Sequence, residues 1–353
     1  MPLPTSTIIG TEGSQDGEYS LPGSPDLRQI AHNSLGNWLS FRPTLRPLYW
    51  KVWCEIILCL LLMIGGFTAH LFLTARFGNA LGLEIGVVFA VWIGFWLNAL
   101  LTFGHEAAHY NLSPSRARND LLADWTIWLF FPQTTKAYRK SHWQHHLHLG
   151  DPEDTEVSYH HCLSPWFLTQ ALTGIYLVSL VIRYVFGQKG KAVPSPPLQR
   201  NPRLGLKLAA LVAPLRALTT HAIFVAAALY LHCYATAVTW LVAAALVFPF
   251  LATVRQVLEH RSADAACATD FHVVNHGPIN RLFAKNFFSR FYGAAGFNRH
   301  LLHHWDPTVS YTRFDEMESF FSETSMGSRL TNARSTYLSS LILLTRKALR
   351  DHS

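Results

Sequence analysis

The chain has 353 residues, half of them hydrophobic and only 14% charged, against roughly 25% charged in an ordinary soluble domain. Lys plus Arg number 29 and Asp plus Glu 22, a formal net charge of +7, with 19 His besides. This composition excludes a disordered chain, argues against a plain soluble enzyme, and carries too small a basic excess to point to nucleic acid.

The first forty residues, rich in Ser, Pro and Gly, contain no basic start followed by an apolar core, so residues 1–40 read as a flexible, retained cytosolic segment. Four stretches without Asp, Glu, Lys or Arg then approach or reach the length needed to cross about 30 Å of hydrocarbon as helices. They are Ile56 to Ala75, Ile85 to Phe103, Ala217 to Tyr234 and Ala235 to Thr253, arranged as two hairpins. Arg42, Arg46 and Lys51 precede the first span, Arg116, Arg118, Lys136, Arg139 and Lys140 follow the second, and Arg255 and Arg261 follow the fourth. The positive-inside rule places both termini and the middle segment in the cytosol.

Between the hairpins, Leu121 to Pro132 and Pro165 to Gly187 are apolar but broken by charge or Pro, which predicts helices lying in the membrane interface. Lys189 to Pro202, with four Pro among Ser, Gly and Arg, reads as a linker. Residues 326–353 read as an amphipathic C-terminal segment after a core at 41–325. The fold expected is therefore all-α: an integral membrane protein with four transmembrane helices in two hairpins and a cytosolic helical cap. Five Cys (54, 59, 162, 233 and 267) include no C-x-x-C pair and read as apolar packing residues.

Eight His fall into three short boxes: His105-Glu-Ala-Ala-His109, His142-Trp-Gln-His145-His146 and His300-Leu-Leu-His303-His304. On a helix, residues three and four apart share a face, so each box can aim its imidazoles in one direction. Neutral imidazole suits Fe, Zn, Cu or Ni. Eight nitrogens exceed what one ion takes and imply two metals with positions left open. The first box follows the second span directly, and the fourth span continues through an Arg255, Glu259 pair to His260, at a comparable height. His260 is the ninth ligand candidate, with His272 and His276 next; His148, His160, His161 and His221 read as structural.

Liganding imidazoles usually give their second N–H to a carboxylate or carbonyl. Glu106, Asp151, Asp154, Glu156, Glu259 and Asp306 stand near the candidates, as does Asn298. Helical aromatics Trp92, Phe95, Trp96 and Trp125 are candidates for lining a slot toward the bilayer. Two other classes compete. His105-Glu106-Ala107-Ala108-His109 also matches the H-E-x-x-H of zinc proteases, but that reading leaves two boxes idle. A metal transporter would place its site near the midplane, whereas these boxes lie outside the spans.

Taken with Glu259-His260, the L-H-L-G-D-P-E-D run after the second box and the W-D-P after the third, the boxes resemble those of the membrane fatty acid desaturase superfamily of desaturases, hydroxylases and ketolases. The resemblance covers roughly residues 40 to 325. It implies a four-span protein whose cytosolic cap holds two irons, with His105, His109, His142, His145, His146, His300, His303 and His304 as ligands and His260 as the extra one. It further implies O2 as co-substrate, an acyl-lipid substrate in the bilayer, and an external electron donor of ferredoxin or cytochrome b5 type, since no H-P-G-G haem motif occurs. The basic residues from Arg116 to Lys140 are candidates for docking that donor. Trp305-Asp306-Pro307 departs from many acyl desaturases, which have an apolar residue and Phe before the Pro, and this weakens the inference of a plain acyl-lipid substrate.

Overall fold

The computed structural model describes residues 35–186 and 204–351; the N-terminal segment to residue 34 and the linker from Lys189 to Pro202 lie outside the described residues. Helices come in the order α1 (Trp38–Phe41), α2 (Tyr49–Phe77), α3 (Asn79–Ala108), α4 (Arg116–Thr126), α5 (Thr135–His148), α6 (Pro165–Leu172) and α7 (Ile175–Phe186). They continue with α8 (Leu204–Tyr230), α9 (Tyr234–Val242), α10 (Phe248–His260), α11 (Phe287–Tyr292), α12 (His300–Trp305), α13 (Phe314–Ser322), α14 (Gly327–Asn332) and α15 (Tyr337–Asp351). A parallel pair of two-residue strands, Leu282–Phe283 with Arg334–Ser335, is the one sheet among the described residues.

Four helical runs are long and apolar enough to cross a bilayer: α2, α3, Leu211–Tyr230 of α8, and Tyr234–His260, which joins α9 to α10. Their outward positions, among them Leu61, Phe72, Val87, Val88, Leu218 and Ile223, are exposed apolar residues. An exposed apolar belt of this extent requires lipid, not water, as its neighbour. The third run ends at Tyr230, four residues before the end expected from charge alone. It also contains Arg216, whose Nη2 donates to the carbonyls of Trp128 (3.1 Å) and Gln133 (2.8 Å), so the charge is held against protein and not against lipid. The apolar helices α6 and α7 meet at an angle of 77°.

Local chemistry sets both hairpin turns. Gly78, at φ 90°, ends α2 and starts α3, a backbone conformation glycine adopts without steric cost. His232, at φ 56°, turns α8 into α9. Asn79 fastens one turn to the other: its Nδ2 donates to the His232 carbonyl and its Oδ1 accepts from the Ala235 N–H, both at 2.9 Å. One turn further in, buried His70 bonds Thr236 Oγ1 (2.9 Å) and the Gly82 carbonyl (3.0 Å). Both hairpin tips therefore lie at one end of the bundle, and the histidine boxes gather at the other.

The fourth span widens into a π-helical turn at Ala243–Val247, just before Pro249, which has no N–H to continue the regular ladder. Gly94 of α3 packs against this bulge. A Cβ there would stand 2.7 Å from Val247 Cβ and 3.0 Å from the Ala243 carbonyl, whereas one on Gly65 would meet nothing within 4 Å. Gly94→Ala should therefore destabilise the protein by about 1–3 kcal/mol, and Gly65→Ala should not. Thermal unfolding in detergent checks this; equal midpoints would show that α3 does not seat on the bulge as described.

Candidate metal centre

A helix of 30 residues is about 45 Å long, some 15 Å more than the hydrocarbon core, so α3 is long enough to cross it and still extend beyond with the end that carries His105. The helix stops at His109, and its last carbonyls are closed from outside. Asn119 Nδ2 donates to the Ala107 carbonyl (2.9 Å) while its Oδ1 accepts from the Leu112 N–H (3.0 Å). Arg139 of α5 donates to the carbonyls of Ala108 (2.7 Å) and Ala107 (3.1 Å), pairs with Asp120, and lies 3.8 Å from the centre of the Tyr110 ring. A guanidinium at a helix C-terminus meets both the free carbonyls and the dipole. It also ties the first box to the second. Arg139 is accordingly removed from the expected docking residues, because its donors are committed inside the cap.

Arg281 does the same for α10, donating to the carbonyls of Leu258 (2.7 Å) and Arg261 (2.6 Å) on either side of His260. The third box begins after two left-handed residues, Ala295 and Gly296, which turn the chain so that Phe297 stacks on His300 at 4.9 Å and meets His105 edge-on at 4.6 Å. Four segments thus deliver nine imidazoles to one place, all buried.

The nine divide into two groups, each with one ligand atom per residue lying within 4.8 Å of the others: His105, His109, His142, His146 and His303 in one, and His145, His260, His300 and His304 in the other. Within the first, Nε2 atoms approach at 2.9 Å for the pairs His105–His303, His303–His146 and His146–His142. Within the second, His300 Nε2 stands 3.0 Å from His260 and 3.1 Å from His304. His142 directs Nδ1 to Glu156, so in its neutral form Nε2 presents a lone pair to the neighbouring ring nitrogens, the form in which imidazole ligates a metal. Clustered imidazoles of this kind would suit a transition-metal ion better than Mg or Ca.

Burial, reinforced by neighbouring imidazoles, pushes His146, His300, His303 and His304 well below the usual histidine range, keeping them neutral and ready to ligate. His145 differs. Burial lowers it too, but Glu156 and Asp154 outweigh that and raise it to about 9. Asp154 accepts from His145 Nδ1 (2.9 Å) and Tyr159 Oη (2.6 Å), and Glu156 accepts from His142 Nδ1 (2.9 Å) and Gln256 Nε2 (2.8 Å). The Ile279 carbonyl stands 3.0 Å from His260 Nδ1. Each contact fixes a ring so that Nε2 faces its group.

Of the expected supporting groups, Asp154 and Glu156 hydrogen-bond boxed histidines, Glu106 lies 3.7 Å from His105 Nδ1, and the others bond elsewhere. Glu106 accepts from Asn111 (3.0 Å) and Ser310 (3.3 Å). Glu259 pairs with Arg255 and accepts from Tyr337. Asp306 accepts from Trp38 Nε1 (3.0 Å) and anchors the N-terminal side of the cap. Asp151 bonds Asn275, and Asn298 is buried beside the third box with no partner for Nδ2 among the described residues. His272 and His276 belong to neither group; His276 accepts from the Ser262 N–H and bonds the Gly277 carbonyl. The reading of all five cysteines as packing residues is corrected at two of them: Cys162 and Cys267 are joined as a disulfide. Their separation of 105 residues leaves no spacing signal.

A family model described as fatty acid desaturase matches residues 84–324. The chain belongs to the fatty acid desaturase family. The match takes in all three boxes, His260 and the last three candidate spans, and the protein is accordingly a membrane oxidoreductase acting on lipid, with a metal site that in this family holds iron. No curated protein matches the chain. What a desaturase-family site needs beyond its ligands is exclusion of water, and here a small cleft touching both groups is walled by Ala295, Gly296, Phe297 and Phe314.

Proposed function

We propose that the nine histidines hold two irons, one in the group of five and one in the group of four, and that the protein uses O2 and external electrons to remove a hydrogen pair from an unactivated C–H-bonded segment of a fatty acyl or related lipid chain. The observation that supports this most is the division of nine buried imidazoles into two adjacent groups that share no residue. When bound, the irons would supply the oxidising power that such a bond demands. The chain's own residues would position them and give an apolar wall: Asp154 and Glu156 hold ring orientation, and Phe297 and Phe314 line the cleft beside the histidines. Return of oxygen to the chain, as in hydroxylation or ketolation, is the alternative outcome on the same site, and placement of the target carbon decides between them.

Peptide hydrolysis at His105-Glu106-Ala107-Ala108-His109 would leave the other imidazoles of both groups idle, and the Glu106 carboxylate is engaged by Asn111 and Ser310. Expression in a host of known lipid composition, with mass spectrometry of the extract, tests the reading. Loss of a hydrogen pair supports desaturation and gain of one oxygen supports hydroxylation; unchanged lipid from an iron-loaded protein with its electron donor present contradicts both.

The slot toward the bilayer falls to Phe95 and Trp96, which pack with Phe291 at 4.2 and 5.3 Å. Trp125 faces outward, 62% exposed, and leaves that set. Trp96→Ala should shift the chain length or position oxidised, read from double-bond location in the products; identical product profiles would remove Trp96 from the path. The boxes, both termini and the cap are proposed to face the cytosol, from the basic residues flanking the spans.

A further inference from the structure

Trp143 stands between the second box's histidines yet is not one of them. Its indole packs 5.5 Å from the His109 ring and 5.5 Å from the His146 ring, centre to centre, and both belong to the group of five. No contact of this kind links it to the group of four. Unlike the nine imidazoles, Trp143 is half-buried and reaches the surface of α5. On that helix Lys136, Lys140, Trp143 and Leu147 follow at intervals of four, three and four, so they lie along one face. Lys136 and Lys140 are exposed. Exposed Arg116 extends the positive surface, since its guanidinium and that of Arg139 share the Tyr110 ring, at 4.9 and 3.8 Å.

We infer that this face of α5 docks an acidic one-electron carrier protein and that Trp143 is the point where electrons cross into the group of five. The inference rests on the proposed two-iron site. Tunnelling falls steeply with distance through protein, and a π-system packed against two of the group's imidazoles and reaching the surface offers a short covered route. Each encounter oxidises one carrier by one electron and reduces one ferric ion to ferrous, with no net change at Trp143; two encounters reduce the pair. The lysines and Arg116 steer the encounter and set its orientation, and the half-exposed indole supplies the contact.

The test uses iron-loaded protein in nanodiscs and follows its reduction by stopped flow with three reductants: an acidic [2Fe–2S] ferredoxin, a cytochrome b5 type protein, and dithionite. In Trp143→Leu, the limiting rate with the effective carrier should fall severalfold while iron content and the dithionite rate stay at wild-type values; Trp143→Phe should recover much of the loss. In Lys136→Glu/Lys140→Glu, the carrier concentration for half-maximal rate should rise and its salt dependence flatten, with the limiting rate unchanged. A wild-type limiting rate in Trp143→Leu overturns the inference, as does loss of iron in that variant, which would make the ring a packing residue for the ligands. Unchanged carrier dependence after charge reversal overturns the docking face. A wild-type protein that takes no iron would instead bring down the two-iron reading itself.

Discussion

On the two-iron proposal, His260→Ala should bind one iron per chain in place of two, and lipid oxidation should be lost with the second ion. The expectation follows from how the group of four is built. His260 Nε2 lies 3.0 Å from His300 Nε2, and its other nitrogen meets the Ile279 carbonyl, so the ring is held with a lone pair toward the group. Removing it leaves three imidazoles for that ion and leaves the group of five intact. Metal analysis of purified protein reads the result, with circular dichroism to confirm the helical fold. Full occupancy by two irons in His260→Ala would show that His260 is a buried interfacial histidine and that three donors suffice.

Asp154→Asn should weaken metal binding by about 10–100-fold, the usual cost of losing a carboxylate behind a liganding imidazole, and should change how binding depends on pH. In the metal-free protein His145 is raised to about 9, burial being outweighed by Glu156 and Asp154. Below that pH it carries a proton that must leave before Nε2 can ligate. Affinity for the ion should therefore climb as pH rises and level off near 9, with a proton released on binding. With one of the two carboxylates neutralised, the plateau should begin at lower pH and sit at lower affinity. Titration with Co2+ or Fe2+ under anaerobic conditions across this range checks both features; a variant with the wild-type affinity and the wild-type pH profile would dissociate Asp154 from the metal.

Much of this arrangement is readable in the residues because its signals are local. Membrane-length apolar blocks and His pairs at helical spacing each need only a short window, and His260 follows from continuing one span by two turns. The parts that escaped depend on contacts across the chain. Nothing in the sequence around Arg139 or Arg281 distinguishes a guanidinium that closes a helix end from one that meets lipid phosphate, and the disulfide joins cysteines a hundred residues apart. The carboxylates divide for the same reason: Asp154 and Glu156 follow the second box on a short return loop, while Asp306, closer still to the third box in sequence, turns away to Trp38. Trp143 carries no signal of its own within the second box, since only its packing against two rings of one group sets it apart.

The most direct measurement is iron quantitation with Mössbauer spectroscopy on protein reconstituted anaerobically with 57Fe. Two irons per chain are expected, in two distinguishable nitrogen-rich environments matching the groups of five and four. A protein that remains free of iron, or that holds a single zinc at His105 and His109, would contradict that expectation.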